Sequence, residues 1–143
     1  MKTTVGLKPA CYHDTQIFEQ EKASIFESSW IFVGFKDQLQ NHDDFITLTI
    51  GKTPVVVQNL SGELCALLNI CSHRKATLQT APSGNRPLVC PYHCWSYKNK
   101  GELTAIPQNK EFFALDNEQR KKLSLKRFAL ESCGAFVFVR VSP

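Results

Sequence analysis

Apolar side chains change their spacing along this chain, and the change marks two kinds of element. Ile17, Phe18, Ile25, Phe26 and Trp30 lie in pairs about two helical turns apart and predict a helix over roughly 15–29. Asp14-Thr15 just before them is N-cap chemistry. Glu19 and Glu21 put negative charge early in the helix, where its dipole favours it. The dozen residues ahead of Asp14 read as a loop or arm. From Trp30 onward the pattern becomes short runs that predict strands at 30–35, 45–50, 54–58, 64–69, 88–89, 95–97 and 134–141. The run 45–50 alternates Phe45, Thr47 and Thr49 against Ile46, Leu48 and Ile50. Gly51-Lys52, Ser61-Gly62 and Lys100-Gly101 supply turns, and residues 115–122 read as a short surface helix. The expected class is mainly β: an antiparallel sandwich or barrel with an N-terminal helix.

Composition narrows this. A length of 143 residues fits one domain. Hydrophobic residues at 43% and charged residues at 21% exclude disorder for most of the chain. Uncharged apolar runs stop at about six residues, far short of the roughly 20 that span a bilayer. The start, Met1 to Gly6, has no apolar core of a signal peptide, so a cytoplasmic protein is expected. Lys plus Arg number 17 against 13 Asp plus Glu, a net charge of +4. That is too weak to argue for nucleic acid, and no membrane partner is expected. The ten phenylalanines fit a β-rich core. Six cysteines stand at 11, 65, 71, 90, 94 and 133. Without an export signal, some are expected to bind metal rather than to form disulfides.

The informative pattern is Cys71-Ser72-His73, sixteen residues, then Cys90-Pro91-Tyr92-His93. Each half offers one thiolate and one imidazole from a tight loop. Two sulfurs and two nitrogens can hold tetrahedral zinc or a 2Fe–2S cluster in which two histidines replace two cysteines on one iron. Zinc knuckles of this composition usually pair Cys with Cys and His with His. Here each loop mixes the two types, which favours the cluster, with Cys71, His73, Cys90 and His93 as its ligands.

Around these residues run Asn69-Ile70-Cys71-Ser72-His73-Arg74, Pro82-Ser83-Gly84-Asn85 and Cys90-Pro91-Tyr92-His93-Cys94-Trp95-Ser96-Tyr97. They resemble the Rieske domain of aromatic-ring-hydroxylating oxygenase large (alpha) subunits. Ile25-Phe26, Trp30, Val33-Gly34, Gly51 with 54–57, and 134–139 extend the likeness over about residues 12–141. The resemblance implies a Rieske-type antiparallel β-sandwich with a two-loop cluster-binding part at about 66–100, one 2Fe–2S cluster, and electron transfer. It makes 1–143 a single Rieske domain. The large subunits of that family also carry a mononuclear iron on two histidines and a carboxylate. His13 and His42, 29 positions apart, follow no such pattern, so no such catalytic domain is expected and the chain is not expected to hydroxylate a substrate alone.

The resemblance further implies a ferredoxin or flavin reductase as electron donor and an oxygenase catalytic domain as acceptor. A monomer is expected for an isolated domain. Arg74, Cys94, Trp95 and Tyr97 are expected around the cluster: Arg74 as a cation near its edge, Trp95 and Tyr97 as its hydrophobic cover. Cys94 stands where the family usually has Gly. High-potential relatives place a hydroxyl donor two positions after the second histidine ligand and join the loops by a disulfide. Here Trp95 takes the first place, and Ala76 and Tyr92 take the others, so a potential of about −150 mV is expected. The outer nitrogens of the ligand histidines are expected to reach the surface. Cys11, Cys65 and Cys133 are expected to be buried or incidental thiols. The basic residues Arg120, Lys121, Lys122, Lys126 and Arg127 are expected to form a solvated face. A zinc-stabilised binding module and the Rieske half of a split oxygenase are the alternatives.

Overall fold

The run 53–60 is buried at six of its eight positions because both of its faces are covered. In the computed structural model, which describes residues 6–142, it forms the central strand β3 (Thr53–Leu60). Val55 and Val57 point to one core with Leu39, Ile46, Ile50, Ala66, Val137 and Val139. Val56 and Leu60 point to a second core, which contains Cys71, Leu78, Leu88, Cys90, Trp95 and Tyr97. The first core closes the sheet; the second seats the two loops.

Seven strands make one antiparallel sheet in the order β1-β9-β8-β4-β3-β2-β5. They are β1 (Ile31–Phe35), β2 (Asp44–Ile50), β3, β4 (Glu63–Leu68), β5 (Ser83–Asn85), β8 (Arg127–Cys133) and β9 (Phe136–Arg140). The sheet curls until β1 approaches β2. Gly34 permits that approach: a Cβ there would lie 2.8 Å from Ile46 Cδ1 and 2.7 Å from Gln38 Oε1. A separate hairpin pairs β6 (Ser96–Tyr97) with β7 (Leu103–Ala105). It is held to the main sheet at Gly101, which has φ +76° and whose Cβ would lie 2.8 Å from the Leu125 carbonyl.

Several elements differ from expectation. The helix begins where predicted, with the Asp14 carboxylate accepting from the Gln16 and Ile17 amides. Its α-helical part, α1, spans only Thr15–Glu21, and a π-turn, Lys22–Phe26, follows. Phe18, Ile25 and Phe26 on this segment stay exposed. Residues 88–89 are not a strand; Val89 makes a single bridge to Ser96. Strand β7 was foreshadowed only by the Lys100-Gly101 turn, and β5 and β8 were not anticipated. β5 is fully exposed Ser-Gly-Asn at the sheet edge, held by pairing with β2. β8 is rich in polar and exposed positions and is held between β4 and β9. In both, backbone pairing overrides side-chain pattern. The surface helix α2 forms at Asn117–Lys122, capped by Asp116. The part of the expected N-terminal arm at residues 1–5 lies outside the described residues.

Candidate metal centre

The two loops are built to one plan. Ile70 bridges Thr77, and Val89 bridges Ser96. Inside each bridge the cysteine amide donates forward, Cys71 N to the Ala76 carbonyl at 2.8 Å and Cys90 N to the Trp95 carbonyl at 2.9 Å. The cysteine carbonyl accepts from the fourth residue on, Lys75 or Cys94, at 3.0 Å in both loops. That fourth residue is left-handed in each case, φ 59° at Lys75 and 57° at Cys94. A left-handed turn favours Gly, which explains why a Gly is usual where Cys94 stands. The Cys94 side chain is exposed.

These matched frames bring the four predicted residues together. The Cys71 and Cys90 thiols are buried at the floor, and neither is in a disulfide. The His73 and His93 rings stand 4.7 Å apart, edge to face. Both are half-buried. Trp95 stacks on His73 at 4.6 Å, and the edge of Phe113 closes on the same histidine at 5.4 Å. Tyr92 covers His93 at 3.8 Å. Above them lies an open groove of about 450 Å³ lined by His73, Arg74, His93, Cys94, Trp95 and Phe113 among others. A larger cavity, about 650 Å³, lies between His42-Asp43 and Lys98–Glu102 and holds none of the four.

The electrostatics suit metal donors. His73 Nδ1 is buried without a hydrogen-bond partner, a costly state for a protein that places nothing there. Burial, with smaller effects from His93 and Arg74, lowers the His73 pKa and keeps the imidazole neutral, its metal-binding form. Burial also raises the Cys71 thiol, opposed by the Tyr97 hydrogen bond and increased by neighbouring Cys90. A buried thiol of this kind gives up its proton readily only to a metal. Among the described residues no three His, Cys, Asp or Glu side chains close around one ion. A centre of two irons asks only two protein donors of each. The residues present fit that group better than a single zinc.

Tyr97 corrects one expectation. It is buried and packs as cover, yet its hydroxyl lies 3.2 Å from Cys71 Sγ. The same oxygen accepts from the Ser72 amide at 3.1 Å and lies 2.9 Å from Ser72 Oγ. Ser72 Oγ donates to the Leu123 carbonyl at 2.6 Å. A hydroxyl donor is therefore present, four positions after His93 instead of two. Sequence reasoning missed it because nothing local marks which atom, 26 positions away, the Tyr97 hydroxyl will meet. Trp95 is 3% exposed, with its face against the His73 ring. Arg74 is exposed and lines the groove.

The remaining residues stay apart. His42 is exposed and accepts from the Ser61 amide at 3.0 Å, a polar turn; His13 is exposed. Cys65 is buried, Cys11 half-buried and Cys133 exposed. In the basic run, Lys121 pairs with Glu118 and Arg127 with Glu63, while Lys122 and Lys126 face solvent. Among the described residues no helix is long and apolar enough to cross a membrane.

This pair of mixed Cys/His loops on a curled antiparallel sheet defines an iron–sulfur protein of the Rieske class. The family model for the Rieske [2Fe-2S] domain matches residues 29–129, and the chain belongs to that family, whose cofactor is one Rieske-type 2Fe–2S cluster. It is 35% identical over 130 residues to the anthranilate 1,2-dioxygenase large subunit of Acinetobacter baylyi, covering 90% of this chain and 27% of that one. It is 37% identical over 112 residues to the biphenyl 2,3-dioxygenase alpha subunit of Rhodococcus jostii, covering 77% and 24%. Solved relatives include naphthalene 1,2-dioxygenase with indole bound (TM-score 0.80, 30% identity, 92% of this chain and 30% of that one). The quaternary ammonium Rieske monooxygenase CntA superposes equally well (TM-score 0.81, 30% identity, 93% and 37%). The chain thus spans about a quarter of the length of these curated relatives. The likeness to dioxygenase alpha subunits sets the zinc module aside.

Proposed function

We propose that the described residues act as the electron-transfer unit of a ring-hydroxylating oxygenase system, with Cys71 and Cys90 ligating one iron and His73 and His93 the other. A 2Fe–2S cluster held there would supply one-electron storage. The observation that carries the ligand assignment is the matched loop pair ending in two free buried thiols and a partnerless His73 Nδ1. The Cys71 and Cys90 frames fix the thiolates from below, and Trp95 and Phe113 hold the His73 ring in place. Tyr97 donates to the Cys71 sulfur and stabilises negative charge there. His73 and His93 line the open groove, the shortest way in for an electron.

The partners belong to the same proposal. A ferredoxin or flavin reductase would donate, and an oxygenase catalytic domain would accept. One solved relative bears the description of inter-subunit electron transfer, which supports an acceptor on another subunit. Substrate oxidation is assigned to an iron site outside residues 6–142, since His13 and His42 are exposed and lie apart from each other in sequence and role. The expected compartment is the cytoplasm, and the isolated unit is expected to be a monomer. With one phenolic donor and no inter-loop disulfide, the potential stays near the low end, about −150 mV.

The test is the absorption and EPR spectrum of anaerobically purified protein before and after dithionite, with iron and sulfide analysis. A red-brown protein with equal iron and sulfide, and the low average g of a histidine-ligated cluster once reduced, supports the proposal. Cys71→Ser and His93→Ala should each abolish that signal. A colourless protein holding one zinc would overturn it.

A further inference from the structure

Each loop closes on itself, but that closure sets the shape of a loop and not the spacing between loops. All six cysteines are free, so no covalent link sets that spacing either. At one end, Trp95 and Tyr97 of the second loop reach His73 and Cys71 of the first. At the other end, a polar chain with a half-buried centre and buried anchors joins the segment after loop one to the segment before loop two. Its centre is Arg86. Its Nε donates to Gln79 Oε1 at 2.9 Å, and its Nη2 donates to the carbonyls of Leu78 and, at 3.2 Å, Val89. Val89 immediately precedes Cys90.

The acceptor of this contact is itself anchored. Gln79 is 2% exposed and Gln58 0%. Gln79 Nε2 donates to Gln58 Oε1 at 3.2 Å and to the Arg86 carbonyl at 3.0 Å. Gln58 Nε2 donates to that same carbonyl at 2.7 Å. Gln58 belongs to β3, the most enclosed strand. Asn69, just past β4, holds the Gln79 backbone from both sides, accepting from its amide at 2.9 Å and donating to its carbonyl at 2.8 Å. The planar guanidinium fork thus spans carbonyls from both loop segments while its seat is tied to the sheet. Among the described residues no carboxylate pairs with Arg86; its partners are amide and carbonyl oxygens.

We propose that Arg86, seated on Gln79 and Gln58, is a positioning residue that fixes the distance between the two ligand loops, a non-covalent counterpart of a loop-to-loop disulfide. The inference rests on the assignment of Cys71, His73, Cys90 and His93 as cluster ligands. Residues that orient a metal's ligands typically matter about 10–100-fold to metal retention when removed. Arg86 acts on the carbonyl next to Cys90 and should show an effect of that order.

The experiment compares the holoprotein with Arg86→Ala and Arg86→Lys. It measures iron release to a chelator without denaturant, the width of the reduced EPR signal, and the urea midpoint. A wild-type protein without the Rieske signal overturns the ligand assignment and the brace with it. Given that signal, the brace predicts that Arg86→Ala releases iron at least about tenfold faster with broadened g features, and that Arg86→Lys lies between. Wild-type release and linewidth in Arg86→Ala overturn the brace alone. So does faster release that merely follows a lower urea midpoint with unbroadened signals. Should Arg86→Ala fail to fold, Arg86→Lys decides: faster release with broadening supports the brace, and wild-type behaviour refutes it.

Discussion

Removing the Tyr97 hydroxyl with Tyr97→Phe isolates one hydrogen bond at the centre. The phenol carries one proton and has two neighbours able to accept it, Cys71 Sγ and Ser72 Oγ. Ser72 spends its own proton on the Leu123 carbonyl. Once Cys71 is a metal-bound thiolate, the sulfur is the more negative acceptor and takes the phenol proton. Burial, followed by the Cys71 contact, raises the Tyr97 pKa far above the ordinary tyrosine value, so the donor stays intact at any working pH. A hydrogen bond to a charged group contributes roughly 1.5–3 kcal/mol. The thiolate is present in both oxidation states, so only the strengthening on reduction counts. Taking about a third of that energy gives ~0.5–1 kcal/mol, or about 20–40 mV for one electron. Tyr97→Phe should therefore move the midpoint about 20–40 mV more negative in a redox titration followed by EPR. Ser72→Ala removes the competing acceptor and should not lower it. An unchanged or raised midpoint in Tyr97→Phe would refute the reasoning.

Three further outcomes follow from packing and charge. Trp95→Ala strips the face of His73 and empties a site 3% exposed; it should cost about 3–5 kcal/mol in urea unfolding and speed iron loss. Gly101→Ala puts a Cβ at φ +76° and 2.8 Å from the Leu125 carbonyl, so its urea stability should fall by roughly 1–3 kcal/mol, while the EPR signal of the folded fraction stays unchanged. The hydrogen bond from Asn85, then that from the Asn41 amide, holds the Asp44 pKa below its ordinary value. A depressed carboxyl stabilises the fold above its unfolded pKa and loses that contribution as pH falls through the folded value. Stability should therefore drop below about pH 4, and Asp44→Asn should flatten that part of the urea-midpoint profile.

The covalent order of residues already determined most of the chemistry. Two mixed Cys/His pairs sixteen residues apart specify a donor set that few centres share, and the Gly-containing turns with period-2 runs specify an antiparallel β fold. Both are local properties, readable because ligand type and strand alternation repeat over a few positions. Tertiary structure decided what depends on residues far apart in sequence. Strand β8 exists because β4 and β9 flank it, and its own pattern is too polar to announce it. The Tyr97 hydroxyl meets Cys71, 26 positions away, and Arg86 meets Gln79 on a frame that includes Gln58. A tyrosine, a glutamine or an arginine carries no mark in the sequence of which distant atom it will face. That choice is made only when the curled sheet brings both loops onto one core, where each buried polar group must find a partner.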